Sequence, residues 1–531
     1  TSRCSSAASD VYKRQVEVRS YGDVETHKSI QITCPAPILR SLQRRSGTLE
    51  SPRSPTRFQG LAPQPSLTRA RKPAKPLSGA GEYRVCGLGR TVMVSQRPGT
   101  DCRALTPSAS SATSTHRERR TGHRSLRGRG VIAIVRRCGM SADGGSEVFG
   151  PRVVIEADRL FDGADFVEPA RVTIANGRVT AVGADVTDPP TEVLERMTLM
   201  PGFVDCHQHL VFDGNGTLEE QVAERSDQEL HERARANARL ALEGGVTTLR
   251  DLGDRNFVTL ALRDDPTLPT ILCSGPPITK PQGHCWYLNG ECADREALIT
   301  AVSERAELGC DVVKIMATGG GLTPTVPMWM SQFSAEDLRV TVEEAHRLGL
   351  PVAAHCHGVR GISDAIVAGV DTIEHCSFVS EDSDRQPDPE LLERLAKSQI
   401  PLSATFGRCP DVPLPPGGLP AWVPTMLASV TRIRELGGRI VVGTDAGIFP
   451  HKPHDCAPHA IDALLLIGMS PVEALRALTS GGAEAIGLAN KGRLVPGADA
   501  DMIAVRGDLS SDVRHVADVA HVWRQGQPIH Q

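Results

Sequence analysis

Beyond Val153 the chain changes between two hydrophobic periods. Apolar residues alternate with polar ones at Val153 to Ala157, Arg171 to Ala175 and Val179 to Val182, punctuated by Asp162-Gly163 and Asn176-Gly177. The alternation predicts strands, and the Asn-Gly pair predicts a tight hairpin. From Gly202 onward strand-like and helix-like stretches follow one another, an order that predicts a parallel sheet. Eight strands fall near Phe203 to Cys206, Thr247 to Arg250, Thr270 to Cys273, Val312 to Ile315, Val352 to Ala354, Thr372 to Ile373, Pro401 to Ala404 and Ile440 to Gly443. Helices are predicted over Ser334 to Leu348, with Ser334 and Asp337 resembling a capping box and Gly349 then Pro351 as the stop, and over Gly361 to Ala368. A third runs over Pro471 to Leu488, with Ser470 as N-cap and proline in the first turn. Eight β/α units close most economically into a (β/α)8 TIM barrel, whose functional residues lie at the carboxyl ends of the strands. Short strands return in Gly492 to Val505 and Val519 to Gln525, and these are expected to pair with residues 153–200. The expected fold is therefore α/β: a barrel over 201–490, with a small β-sandwich domain built from 140–200 and 491–531.

Charge sets the first part of the chain apart. Residues 1–139 hold 26 of the 59 Lys and Arg but only 8 of the 63 Asp and Glu. They are rich in Arg, Ser, Pro and Thr and show no sustained period, a composition that cannot bury a core. Basic clusters without interleaved aromatic residues do not make a nucleic-acid surface. Thr1 to Gln15 resembles a translated sequencing-adapter tract and Met140 reads as a start, so residues 1–139 are expected to be disordered and foreign to the native protein. Abundant natural peptides from residues 20–130 would overturn that. No apolar run approaches the ~18 residues of a membrane span, and Val131 to Val135 is too short for a signal-peptide core. Five of the fourteen cysteines lie in this segment, and the other nine form no CxxC pair. That usage favours reduced thiols and a cytoplasmic location. Neither nucleic acid nor membrane is expected as a partner; homo-oligomerisation is left open.

Six polar residues stand at the ends of the predicted barrel strands: His207, His209, Lys314, His355, His375 and Asp445. Residues two apart on an extended chain point the same way, so His207 and His209 can bind one metal. A lysine in the apolar run Val312-Val313-Lys314-Ile315 is costly to bury without a partner; one explanation is a salt bridge, another a carbamate formed with carbon dioxide that bridges two metals. His355 and His375 suit a second metal. Asp445, the carboxylate of the set, suits two tasks, as ligand and as proton acceptor from water, which it can then pass to a leaving amine. Two divalent ions would lower the pKa of a bridging water and polarise a carbonyl, so that hydroxide attacks at neutral pH.

Those residues lie in seven segments: PGFVDCHQHL (201–210), GVTTLRD (245–251), DVVKIMATGG (311–320), AHCHG (354–358), GVDTIEH (369–375), GTDAG (443–447) and PGADADM (496–502). Over residues 153–525 the chain resembles the binuclear metal-dependent hydrolases of the amidohydrolase superfamily, and within it the imidazolonepropionase-like group that includes prolidase-like and Xaa-Arg dipeptidases. The resemblance implies that His207, His209 and Asp445 hold one ion, that His355 and His375 hold the other, and that a carboxylated Lys314 bridges them. Zinc is the leading candidate, although such ligands also accept manganese or iron. It further implies hydrolysis of a carbon–nitrogen amide bond in a small molecule, a dipeptide or an N-acyl amino acid. His284, in the loop after the third strand, resembles a substrate-contacting position. His357 stands where several prolidase-like relatives carry tyrosine, which puts proline specificity in doubt and makes this histidine a candidate donor to the developing oxyanion. Mononuclear deaminases fit less well, since they lack the lysine. The alternatives are a cyclic amide, imidazolone or lactam, as substrate, or a barrel that serves as a non-catalytic scaffold.

Overall fold

The computed structural model describes residues 152–382, 387–414 and 417–529. The expectations for residues 1–139 lie outside the described residues. Fifteen strands are found among those described: β1 (Val153–Leu160), β2 (Arg171–Ala175), β3 (Arg178–Val182), β4 (Glu192–Pro201), β5 (Phe203–Gln208), β6 (Val246–Asp251), β7 (Thr270–Cys273), β8 (Val313–Met316), β9 (Val352–Gly358), β10 (Thr372–Val379), β11 (Leu402–Ser403), β12 (Ile440–Val441), β13 (Met502–Arg506), β14 (Val519–Arg524) and β15 (Gln527–Ile529).

The two ends of the described chain share one sheet of seven strands, in the order β15-β14-β13-β4-β1-β2-β3. Its β2–β3 hairpin turns on Asn176 and Gly177, both at positive φ (51° and 74°), as a two-residue turn between right-twisted strands requires. The join between the ends is the antiparallel pairing of β13 with β4, Met502 opposite Pro201 through Arg506 opposite Met197. Alternate side chains, among them Ile155, Val172, Ile174, Leu199, Met502, Ala504 and Trp523, form a core of their own on this sheet. All seven strands belong to a single hydrogen-bonded order.

The eight central strands are parallel. β5 to β7 form one set and β8 to β12 another. Backbone bonds join the sets at both edges. Ile278 N donates to Lys314 O and Met316 N to Ile278 O beyond β7; Cys206 N donates to Val442 O and His209 N to Ala446 O between β5 and the segment after β12. The result is a barrel-like α/β architecture in which consecutive strands are neighbours. The connecting helices pack by ordinary amphipathic logic: in Asp227–Glu243, Leu230, Ala234, Ala238, Ala241 and Leu242 are buried, and Ser226 with Glu229 closes a capping box. Between β6 and β7 the helix is replaced by a short 3-10 segment, Val258–Leu262.

The long helix expected over Pro471 to Leu488 is two helices, Pro471–Leu478 and Ser480–Ala485, broken at Thr479 (φ −132°, ψ −100°). The break has a cause in packing. Ser480 Oγ donates to Gly163 O, Thr479 Oγ1 donates to Leu475 O (2.7 Å), and Gly482 lies against the backbone and side chain of Val204 in β5. The second helix is thereby re-aimed under the first barrel strand. No helix among the described residues is long and apolar enough to cross a membrane.

Candidate metal centre

All eight residues singled out by the sequence are buried, none more than 8% exposed, within β5, β8, β9 and β10 or in the segments that follow β5, β7 and β12. Two trios of ligand atoms form, each within 4.8 Å of one another: His207, His209 and Asp445, and His355, His357 and His375. His357 thus joins the trio of the expected second ion, although the sequence placed it on the substrate side.

The first trio is built from acceptors. His207 Nδ1 lies 3.0 Å from Glu374 Oε2, and a carboxylate can only accept, so the ring proton sits on Nδ1. His209 Nδ1 likewise donates to Gly253 O at 3.2 Å. The two Nε2 atoms face each other at 3.2 Å, each a lone pair in the neutral, Nδ1-protonated ring. Asp445 Oδ1 lies 3.4 Å from one and 3.2 Å from the other. Three acceptors at such distances repel unless a cation lies among them, and the set of two imidazoles and a carboxylate is what a borderline-hard divalent ion takes. Burial, assisted by the charge of Lys314, pushes His207 down to about 4, which keeps its lone pair free. Burial pushes the Asp445 carboxyl up, but His207, His209 and Lys452 outweigh it and hold the group well below the usual carboxylate range.

In the second trio His355 Nε2 donates to Gly319 O at 3.1 Å, which leaves Nδ1 as its free lone pair. His357 Nδ1 lies 2.9 Å from Ser377 Oγ, and its backbone N donates to Thr318 Oγ1 at 2.9 Å. The His355 and His375 rings meet edge to face at 4.4 Å, and His357 stacks on His375 at 4.6 Å. Burial first and neighbouring imidazoles second drive His355 and His375 well below the ordinary histidine value, and burial takes His357 to about 3. All three are neutral ligands in waiting. His284 packs on His355 with ring centroids 4.5 Å apart and sits 2.9 Å from Thr323 Oγ1. A side chain at Gly320 would collide with the His284 ring, which explains that glycine.

Lys314 is the central cation. Its Nζ is buried and has no hydrogen-bond partner, and burial pushes it below the usual lysine value. The salt bridge considered from the sequence is absent among the described residues: no carboxylate lies within ion-pair distance, although the charges of Glu374 and Asp445 act on it. An isolated ammonium in that setting is costly. An orphaned buried amine beside two trios of metal-type donors fits a centre completed by cations, and the residues present fit a metal pair.

Glu374 and Arg250 were not singled out from the sequence. Arg250 donates to Glu374 Oε1 (2.8 Å), to Cys206 O (2.8 Å) and to Thr372 Oγ1 (3.1 Å), while Glu374 Oε2 orients His207. Arg250 and the charge and hydrogen bond of His207 overcome the burial that would raise Glu374 and hold it low. His454 is buried with both ring nitrogens engaged, by Gln208 Oε1 (3.0 Å) and Phe212 O (2.9 Å). It spaces the loops after β5 and β12. Cys206 and Cys356, beside ligand candidates in sequence, direct their thiols toward the carbonyls of Gly482 and Gly361.

Comparison with known proteins agrees with this geometry. The amidohydrolase family model matches residues 198–395 and 424–529. An ochratoxinase of Aspergillus niger is 28% identical over 406 residues, 67% of this chain and 82% of its own. An imidazolonepropionase of Paracoccus denitrificans is 24% identical over 410 residues, 69% of this chain and 94% of its own. Among solved structures, the A. niger ochratoxinase aligns with a TM-score of 0.61 at 26% identity, over 71% of this chain and 95% of that one. A Xaa-Pro dipeptidase with bound methionine aligns at 0.60 and 23%, over 72% and 100%. The chain belongs to the amidohydrolase family and is a hydrolase acting on carbon–nitrogen bonds.

Proposed function

We propose that this enzyme hydrolyses the amide bond of a small molecule, a dipeptide or an N-acyl amino acid, at a two-metal centre in a (β/α)8 barrel whose end sheet curls into a small sandwich. The observation that carries the reading is a pair of buried donor trios together with an unpartnered buried lysine whose charge acts on members of both. In this assignment His207, His209 and Asp445 would hold one ion and His355 and His375 the other. The neutral amine of Lys314 would add to carbon dioxide, forming an N–C bond and releasing one proton, and the resulting anionic carbamate would offer oxygens to both. The depressed lysine supports this, because only the free amine is nucleophilic. Bound divalent ions, zinc foremost, would supply Lewis acidity toward the substrate carbonyl and toward water.

The chain's own groups then move the protons. Asp445, held ionised, accepts a proton from the attacking water and returns it to the leaving nitrogen. His357 is neutral and anchored at Nδ1 by Ser377, so its Nε2 is free to meet the carbonyl oxygen as charge develops there. Its grouping with His355 and His375 supports a competing role as a third ligand. His284, packed on His355, would contact the substrate. Carbon–nitrogen chemistry in the relatives supports the reaction class: an ochratoxinase and a Xaa-Pro dipeptidase align over most of their length. The test is a screen of N-acyl amino acids and dipeptides varied at each end, with an imidazolone and lactams as the cyclic arm, run alongside metal analysis. Two ions per chain with turnover of an open-chain amide is the expected result. Turnover of the cyclic amides alone would reassign the substrate, and neither metal nor turnover would leave the scaffold reading.

A further inference from the structure

Asp445 adopts a left-handed backbone, φ +60°, a conformation that costs a non-glycine residue of order 1–3 kcal/mol and persists only when its surroundings hold it. Three of the groups that hold it belong to the β5 side. Asp445 N donates to His207 O at 2.7 Å, and Thr444 N and Oγ1 donate to the two oxygens of Asp205 at 2.9 and 2.6 Å. That leaves the Thr444 carbonyl, the acceptor of the peptide unit that leads into Asp445. Lys452 Nζ takes it at 2.6 Å, and the same ammonium takes Thr405 O at 2.7 Å. Thr405 follows β11 and is itself left-handed, at φ +52°.

Lys452 is unusual for a lysine. It is half-buried, it forms no ion pair among the described residues, and it directs two donors at main-chain carbonyls on adjacent strand ends. Exposed lysines keep their ammonium in water or beside a carboxylate. Its own backbone is fixed too, with N donating to Phe449 O and O accepting from Gly447 N, both at 2.9 Å. We infer that Lys452 is a positioning residue of the hydrolytic site: its ammonium ties the end of β11 to the end of β12 and so fixes the carboxylate of Asp445 toward His207 and His209. The inference rests on the two-metal reading above, and it adds a residue outside every motif that carries that reading.

Charge and position make opposite demands here, which separates them experimentally. An ammonium near a divalent ion repels it, so if Lys452 acted only as a charge its removal would tighten the metal. If it positions Asp445, removal loosens the metal. The experiment compares the zinc-loaded full chain as wild type, Lys452→Met and Lys452→Arg, measuring zinc loss to a chelator, kcat, KM and thermal unfolding. For Lys452→Met we expect one of the two zinc ions to leave on the order of tenfold faster, and kcat to fall on the order of 10- to 100-fold with KM changed less than about threefold, as for a displaced reacting group. Lys452→Arg, with a fork able to reach both carbonyls, is expected to recover most of both. Zinc held as tightly or more tightly in Lys452→Met, or an unchanged kcat, overturns the inference. If Lys452→Met does not fold, Lys452→Gln carries the same comparison through its neutral amide. A wild type without zinc or turnover would remove the two-metal reading, and this inference with it. An active, zinc-bearing wild type with an indifferent Lys452→Met removes this inference alone.

Discussion

Lys314 is the residue whose chemistry is most constrained. A buried ammonium without a partner loses its hydration and receives nothing in exchange, whereas a carbamate offers two oxygens to two cations. Lys314→Ala is therefore expected to abolish turnover and to lower the metal content below that of the wild type, read by elemental analysis. Asp445→Asn keeps a neutral oxygen ligand but no proton acceptor, so turnover is expected to vanish with metal partly retained. Wild-type rates in either variant would contradict the mechanism. For His357 the two roles predict different results. As an oxyanion donor its replacement by Ala should lower kcat on the order of 10²-fold with both ions present, a loss typical of one missing donor. Loss of one ion instead would make it a ligand.

At the scale of elements, strand alternation both revealed the site and hid part of it. The HxH pair on β5 obeys the period of two, so His207 and His209 were legible as partners from spacing alone. β10 does not obey it. His375, Cys376 and Phe378 have positive φ (67°, 51° and 55°), so the strand leaves the regular pleat as it reaches the site. Glu374 and His375, adjacent in sequence, then both serve the centre, where a regular strand would send them to opposite faces. No period read from sequence reports such a kink, which is why Glu374 and its partner Arg250 on β6 were passed over. Lys452 was equally illegible, since its role lies in two carbonyls and carbonyls carry no residue identity. Glu374→Gln tests the pair: it leaves the Arg250 guanidinium, 3% exposed, without its counter-charge. Breaking a buried pair from one side costs about 3–5 kcal/mol, so denaturant unfolding should shift by an amount of that order. A shift under about 1 kcal/mol would mean that Thr372 and the Cys206 carbonyl suffice for Arg250.

For the molecule as a whole, the centre lies where the two parallel sets of strands must be held together. β5 and β6 bring His207, His209 and Arg250; β8, β9 and β10 bring Lys314, His355 and His375; the segment after β12 brings Asp445 back beside β5. Donor side chains from both sets converge, so an ion bound among them would cross-link the two sets. A ligand that binds only the folded state stabilises it by RT ln(1 + [L]/Kd), about 2.7 kcal/mol per site at one hundred times Kd. Metal removal is thus expected to do more than stop hydrolysis. Chelator-treated protein should unfold at a lower temperature, and returning zinc should restore stability and turnover together, with the midpoint rising with free zinc. Lys314→Ala separates the two effects. Lacking the bridge but keeping His207, His209 and Asp445, it should regain part of the thermal stability on zinc addition while remaining inactive. If chelation left the unfolding temperature of the wild type unchanged, the folded chain would hold no ion in preference to the unfolded chain, and the two-metal reading would fail with it.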